Sequence, residues 1–113
     1  MATVNVPIRT VASTWRSPEI AVPSLSGSVK VQFTSDDWPA APDGRTFDFH
    51  IEHSFDGGTT WTHWFGGNFT VGNHDKAGNL PSLFGPLDGI AKRVRVLVEP
   101  TASIRLGASV VVT

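Results

Sequence analysis

Acid–base chemistry has one natural home in this 113-residue chain, the run TFDFHIEHSF from Thr46 to Phe55. As a strand it sets Asp48, His50 and Glu52 on one side, and His63 comes across from Glu52 if the following turn centres on Gly57 and Gly58. Two carboxylates flanking an imidazole, with a second imidazole opposite, form an acceptable general acid–base set. Plain period-2 alternation of polar residues on a solvated sheet face explains the same pattern without catalysis, and that is the reading we expect. The four histidines, His50, His53, His63 and His74, also raise the question of a metal. His50 and His53 are three apart and leave a strand on opposite faces, so they do not chelate one ion without a bulge. In SDDWPAAPDG, Asp36, Asp37 and Asp43 could converge on calcium, but the fixed ligand spacing of a calcium loop is missing and a turn-rich loop is the simpler reading. No metal and no cofactor are expected.

The most distinctive stretch is HSFDGGTTWTHWF, His53 to Phe65. Its Ser54, Asp56, Gly58, Thr60 and Trp61 match the Ser-x-Asp-x-Gly-x-Thr-Trp pattern of the Asp-box. The physical roles are local: an Asp that accepts turn amides, a Gly with positive φ, and an indole packed against the turn. The motif resembles the one repeated in sialidases and other β-propellers, which would imply a glycoside hydrolase. A propeller needs several blades of roughly 40–50 residues, however, and this length holds barely two. The box occurs once, and the chain has no Tyr to serve as a sialidase nucleophile. The expected role of these five residues is a structural turn.

Four Trp remain for binding or packing. Trp61 belongs to the hairpin, and either Trp64 or Phe65 to the core, depending on register. Trp15 and Trp38 lie in or beside Pro-rich segments, where an exposed indole stacks on a sugar or anchors an interface, or else covers an open end of the fold. With His74, these two are the candidate binding or interface residues.

The elements that position these residues are strands. Eleven Gly and eight Pro leave no window for a long helix, and the apolar stock of Val, Ile, Leu, Phe and Trp favours β-structure. Val4, Val6 and Ile8 alternate with polar residues beside Pro7, as in an edge strand. SPEIAVPS gives a short extended piece, and Val29, Val31 and Phe33 give the cleanest alternation. Gly66 to Gly89 reads as a long loop with one brief extended piece, NFTV. AKRVRVLVEP and SIRLGASVVVT, joined by a short turn, read as a closing hairpin. The expectation is all-β, a single antiparallel β-sandwich over residues 1–113, jelly-roll-like, with about seven or eight strands.

Nine Lys and Arg against ten Asp and Glu give a net charge of −1, a poor footprint for nucleic acid or an anionic membrane. The absence of Cys removes disulfides and thiolate sites. The N-terminal residues have no charged segment leading into an apolar core, so a secretory signal is not expected and synthesis in the cytoplasm is.

The order SPEIAVPS, VKVQFTSDDWP, FDFHIEHSFDGGTTWTH and KRVRVLVEPTASIRLGASVVV resembles a type of small β-sandwich protein encoded in tailed-phage genomes and prophages. The resemblance spans nearly the whole chain, and its specific motif is the turn. It implies a non-enzymatic virion protein, a capsid decoration or tail-associated subunit whose partners are other virion proteins and further copies of itself, trimers suiting capsid decoration. The alternative is a carbohydrate-binding module that uses its loop Trp residues for a glycan or receptor.

Overall fold

Alternation of apolar and polar residues produces nine strands among the described residues of the computed structural model: β1 Ala2–Val11, β2 Trp15–Arg16, β3 Ile20–Ala21, β4 Ser28–Thr34, β5 Thr46–Ser54, β6 Thr62–Thr70, β7 Leu83–Pro86, β8 Arg93–Pro100 and β9 Ile104–Val112. The structure describes residues 2–22, 27–72, 83–86 and 91–113, with backbone pairing alone for 83–86. His74 lies outside these residues, as does most of the segment read as a long loop.

Two antiparallel sheets face one another. One has the order β1-β9-β4-β7; the other runs β2-β8-β5-β6, with β3 also paired to β8. β2 and β3 are a single strand interrupted at Ser17, Pro18 and Glu19. Arg16 pairs with Leu97 and Ile20 with Val94, so three residues stand against two. Pro18 has no amide to offer the ladder, and Ser17 bridges the break, its amide donating to Val96 O (2.8 Å) and its Oγ accepting the Val96 amide (2.9 Å). Counted this way there are eight strands, in order 1-8-3-6 and 2-7-4-5, which is the arrangement of a jelly roll.

The core lies between the sheets. Val29, Val31 and Phe33 of β4, with Ile104, Leu106, Ala108, Val110 and Val112 of β9, meet Phe47, Phe49 and Ile51 of β5 and Val94, Val96 and Val98 of β8. Phe33 sits at the centre, with the rings of Phe47, Phe49 and Phe69 at 5.5, 5.6 and 5.9 Å, all in edge-on geometry that favours aromatic pairs.

Two expectations need correcting. The two closing strands do not form a hairpin: β8 and β9 belong to different sheets, and Thr101–Ser103 carries the chain across the sandwich. This corner is held by Thr101, whose Oγ1 accepts the Thr46 amide (2.9 Å) and donates to Thr46 O (3.0 Å), and by Arg45 Nη1 donating to Ser103 O (2.8 Å). Alternation marks each strand but does not name its partner. Nor are the described residues between Gly66 and Gly89 mainly loop, since β6 continues to Thr70 and Leu83–Pro86 pairs with β4. Gly66 is required where it stands, because a Cβ there would collide with the carbonyl of Phe49. Of the two places open to Trp38, exposed or covering the fold, the structure takes the second: it is buried in the core cluster.

Candidate functional site

The outer face of the β2-β8-β5-β6 sheet gathers most of the residues singled out for chemistry. Register places them in rungs. Glu52 has Arg95 directly across on β8 and His63 directly across on β6. One rung along, His50 has Leu97 on one side and Gly66 on the other; the next holds Glu99, Asp48 and Asn68. The register of β5 with β6 slips by one residue between Ile51 and Glu52, and this bulge brings His63 opposite Glu52.

Glu52 is the centre of this face. Its side chain is only 5 % exposed, with Arg95 Nε at 2.8 Å and Arg16 Nε at 3.9 Å from Oε1 and His63 Nε2 at 3.1 Å from Oε2. The face is therefore not the fully solvated row of polar residues that alternation led us to expect. The Arg95 guanidinium also lies over the Trp61 ring, 3.9 Å from its centroid. His50 and His63 stack at 4.3 Å with their planes 12° apart, over the space that Gly66 leaves without a side chain. His50 Nε2 is 3.8 Å from Glu99 Oε1, and Asn68 Nδ2 donates to Asp48 Oδ1 (2.6 Å). Asp48 and Glu99 stand directly opposite, a like-charge pair, and each turns to its own neighbour, which relieves the repulsion.

This arrangement has Glu52, the group best placed for acid–base work, already occupied at both oxygens by cross-strand partners. The general acid–base set is assembled in space, but Glu52 on β5 acts there as a pin to β8, β6 and β2. Arg95 and Arg16 had no place in the sequence reading. The signal for Arg95 was present in its position among the valines of β8, which sends it to the outer face beside β5.

The turn above this face is built by Ser54, Asp56, Gly58, Thr60 and Trp61. Ser54 Oγ donates to Asp56 Oδ1 and accepts the Gly58 amide, both at 2.8 Å. Asp56 Oδ1 accepts the amides of Thr59 (3.1 Å) and Thr60 (2.9 Å), and Trp61 Nε1 donates to Gly58 O (3.0 Å). Gly57 and Gly58 both have positive φ, 83° and 109°. The amide of Thr60, then the hydroxyls of Ser54 and Thr60 and the amide of Thr59, hold the Asp56 carboxyl well below the ordinary carboxylate range. The indole of Trp61 thus ties the turn to Arg95 and, through it, to Glu52.

The other candidates are dispersed. Trp15 is half-buried in β2, with the guanidinium of Arg9 over its ring at 4.0 Å. Trp38 offers no surface to a ligand. Asp36 is paired with Arg105, Asp43 with Arg45, and Asp37 accepts from Ser35 Oγ (3.1 Å), so the three carboxylates of the supposed calcium loop are turned to separate partners. Among the described residues no three His, Asp or Glu side chains cluster as metal ligands. The aromatic surface is instead at Phe55 and Trp64, 40 % and 43 % exposed, whose rings pack on the buried His53 ring at 5.9 and 4.9 Å.

Comparison of the chain with family models, with curated proteins and with solved structures found no match.

Proposed function

We propose that this chain is a non-enzymatic structural or accessory subunit of a tailed-phage particle, a capsid decoration or tail-associated protein that works by assembling with other virion proteins and with copies of itself. The observation that carries the reading is the strand order of the two sheets, 1-8-3-6 and 2-7-4-5, an architecture that recurs in viral capsid proteins. Such folds host several functions, so the architecture supports the reading together with the resemblance of the chain to small virion proteins. The chemistry of the polar face agrees with it, since Glu52 is committed to Arg95, His63 and Arg16. A surface of near-balanced charge suits protein partners better than nucleic acid or membrane. The test is mass spectrometry of purified particles from the lysate of a host that encodes the chain. Its peptides are expected among the particle proteins, and their absence would end the proposal.

A second reading is favoured by one observation, the exposed aromatic pair Phe55 and Trp64. A glycan- or receptor-binding module needs such a surface, and here it would use Trp64 in place of Trp15 and Trp38. Glycan-array binding that is lost in Trp64→Ala would establish it; an array without binding would remove it.

A further inference from the structure

The edges of the two sheets are not protected alike. β1 carries Pro7 and Arg9 and a register shift between Val6 and Arg9. β7 is four residues long and contains Pro86. The edge formed by β2 and β3 is two short pieces broken at Pro18. Each of these is a device that keeps an open edge from pairing with another chain. β6 is different. It runs nine residues, THWFGGNFT, with no Lys, Arg, Asp, Glu or Pro. Its one irregularity lies near Trp64, and Phe65 to Thr70 keep an unbroken register on β5. Gly66, Gly67 and Asn68 in this regular part are exposed.

We infer that residues Phe65 to Thr70 of β6 form a self-pairing edge, joining two copies of this chain into a dimer through a continuous antiparallel sheet. A two-fold axis perpendicular to the sheet and centred on Gly67 sets Gly67 beside Gly67 of the second copy, Phe65 opposite Phe69 of the second copy, and Gly66 opposite Asn68 of the second copy. Paired residues in an antiparallel ladder share a face, and this register keeps the core side facing the core side. No charge opposes a like charge, because the strand has none. Gly66 and Asn68 turn their main-chain groups outward, and the two central glycines carry no side chains that read a foreign sequence, which suits a symmetric copy better than an unrelated peptide. The contact is isologous and gives an even-numbered oligomer, whereas the resemblance leaves the number open. It stands apart from the virion reading, since a dimer in solution and presence in particles are separate results.

Sedimentation velocity on the purified chain tests this, with Asn68→Lys as the charged-edge variant. Asn68 is exposed and bonded to Asp48, so a lysine there keeps a favourable partner for that carboxylate. The wild type is expected to be a dimer at micromolar concentration, and Asn68→Lys to raise the dissociation constant by about tenfold or more. Because the chain has no Cys, Gly67→Cys adds a clean second readout. Opposed Cα atoms in a ladder lie within disulfide reach, so mild oxidation should give a covalent dimer, whereas Thr3→Cys on β1 should not. If Gly67→Cys does not fold, the sedimentation comparison decides alone. A wild type that stays monomeric at its highest soluble concentration, or a dimer that is unaffected by Asn68→Lys, overturns the inference.

Discussion

Glu52 holds Arg95 and Arg16 at one carboxylate oxygen and His63 at the other, and so joins β5 to its neighbours on both sides. The alternation of β5 correctly sets Asp48, His50 and Glu52 on one face, and His63 does come across from Glu52. What the pattern does not carry is the third strand, because the partner Arg95 lies 43 residues away. Removing one member of a buried ion pair leaves the other desolvated and uncompensated, a cost of roughly 3–5 kcal/mol when burial is complete. Glu52→Ala should therefore destabilise the fold by about 2–4 kcal/mol in urea unfolding, given that Arg95 keeps some solvent. His63→Ala, which removes a more exposed partner, should cost less than about 1 kcal/mol. The turn gives a prediction in pH. Asp56 has a folded-state pKa depressed from 3.8 by the turn amides and hydroxyls. Its contribution to stability is thus full above that ordinary value and is lost as pH falls through the folded value. Wild type should be more stable than Asp56→Asn at neutral pH, and the gap measured by thermal unfolding should close progressively below pH 3.8. A gap that is constant from neutral pH into that acid range would contradict the hydrogen-bonding role assigned to the carboxylate.

Among the described strands, the one pair of consecutive strands that share a sheet is β5 and β6, with β2 and β3 counted as one, and it is the pair whose turn is written in sequence. Asp56-Gly57-Gly58 is a local signal, and local signals resolve local pairings. Every other consecutive pair of strands, with β2 and β3 counted as one, crosses from sheet to sheet. Val96 and Val110 therefore lie on opposite walls of the core even though the strands that carry them follow one another, and nothing in their alternation could tell a corner from a hairpin. β6 itself was legible only in part, because Gly66 and Gly67 read as loop residues. Their place in a strand follows from close packing against Phe49 and His50, a tertiary fact. Gly66→Ala should accordingly disrupt the middle of the hairpin and destabilise it by about 1–3 kcal/mol, with faster amide hydrogen exchange concentrated in β5 and β6. Unchanged exchange there would mean that the close approach to Phe49 has little energetic weight.

At the scale of the whole molecule, strand content, layer architecture and most of the core were legible. The reason is that Phe33, Phe47, Val96 and Val110 follow the strict period of two that a sandwich imposes. For function the sequence offers only a resemblance, because binding surfaces made by edges and strand ends leave no fixed spacing in a chain. The aromatic surface at Phe55 and Trp64 depends on the bulge in β6, and Trp38, conspicuous beside its prolines, proves to be core. Phe33 touches both walls of that core, and Phe33→Ala should cost about 3–5 kcal/mol in a single cooperative transition. The proposal that this jelly roll is a particle subunit is decided by particle composition. The most direct measurement is its copy number across a density gradient of purified particles, by quantitative mass spectrometry. A fixed ratio of this chain to a capsid or tail protein is expected through the particle peak; finding the chain only among soluble proteins, with no peptides in the peak, would overturn the proposal.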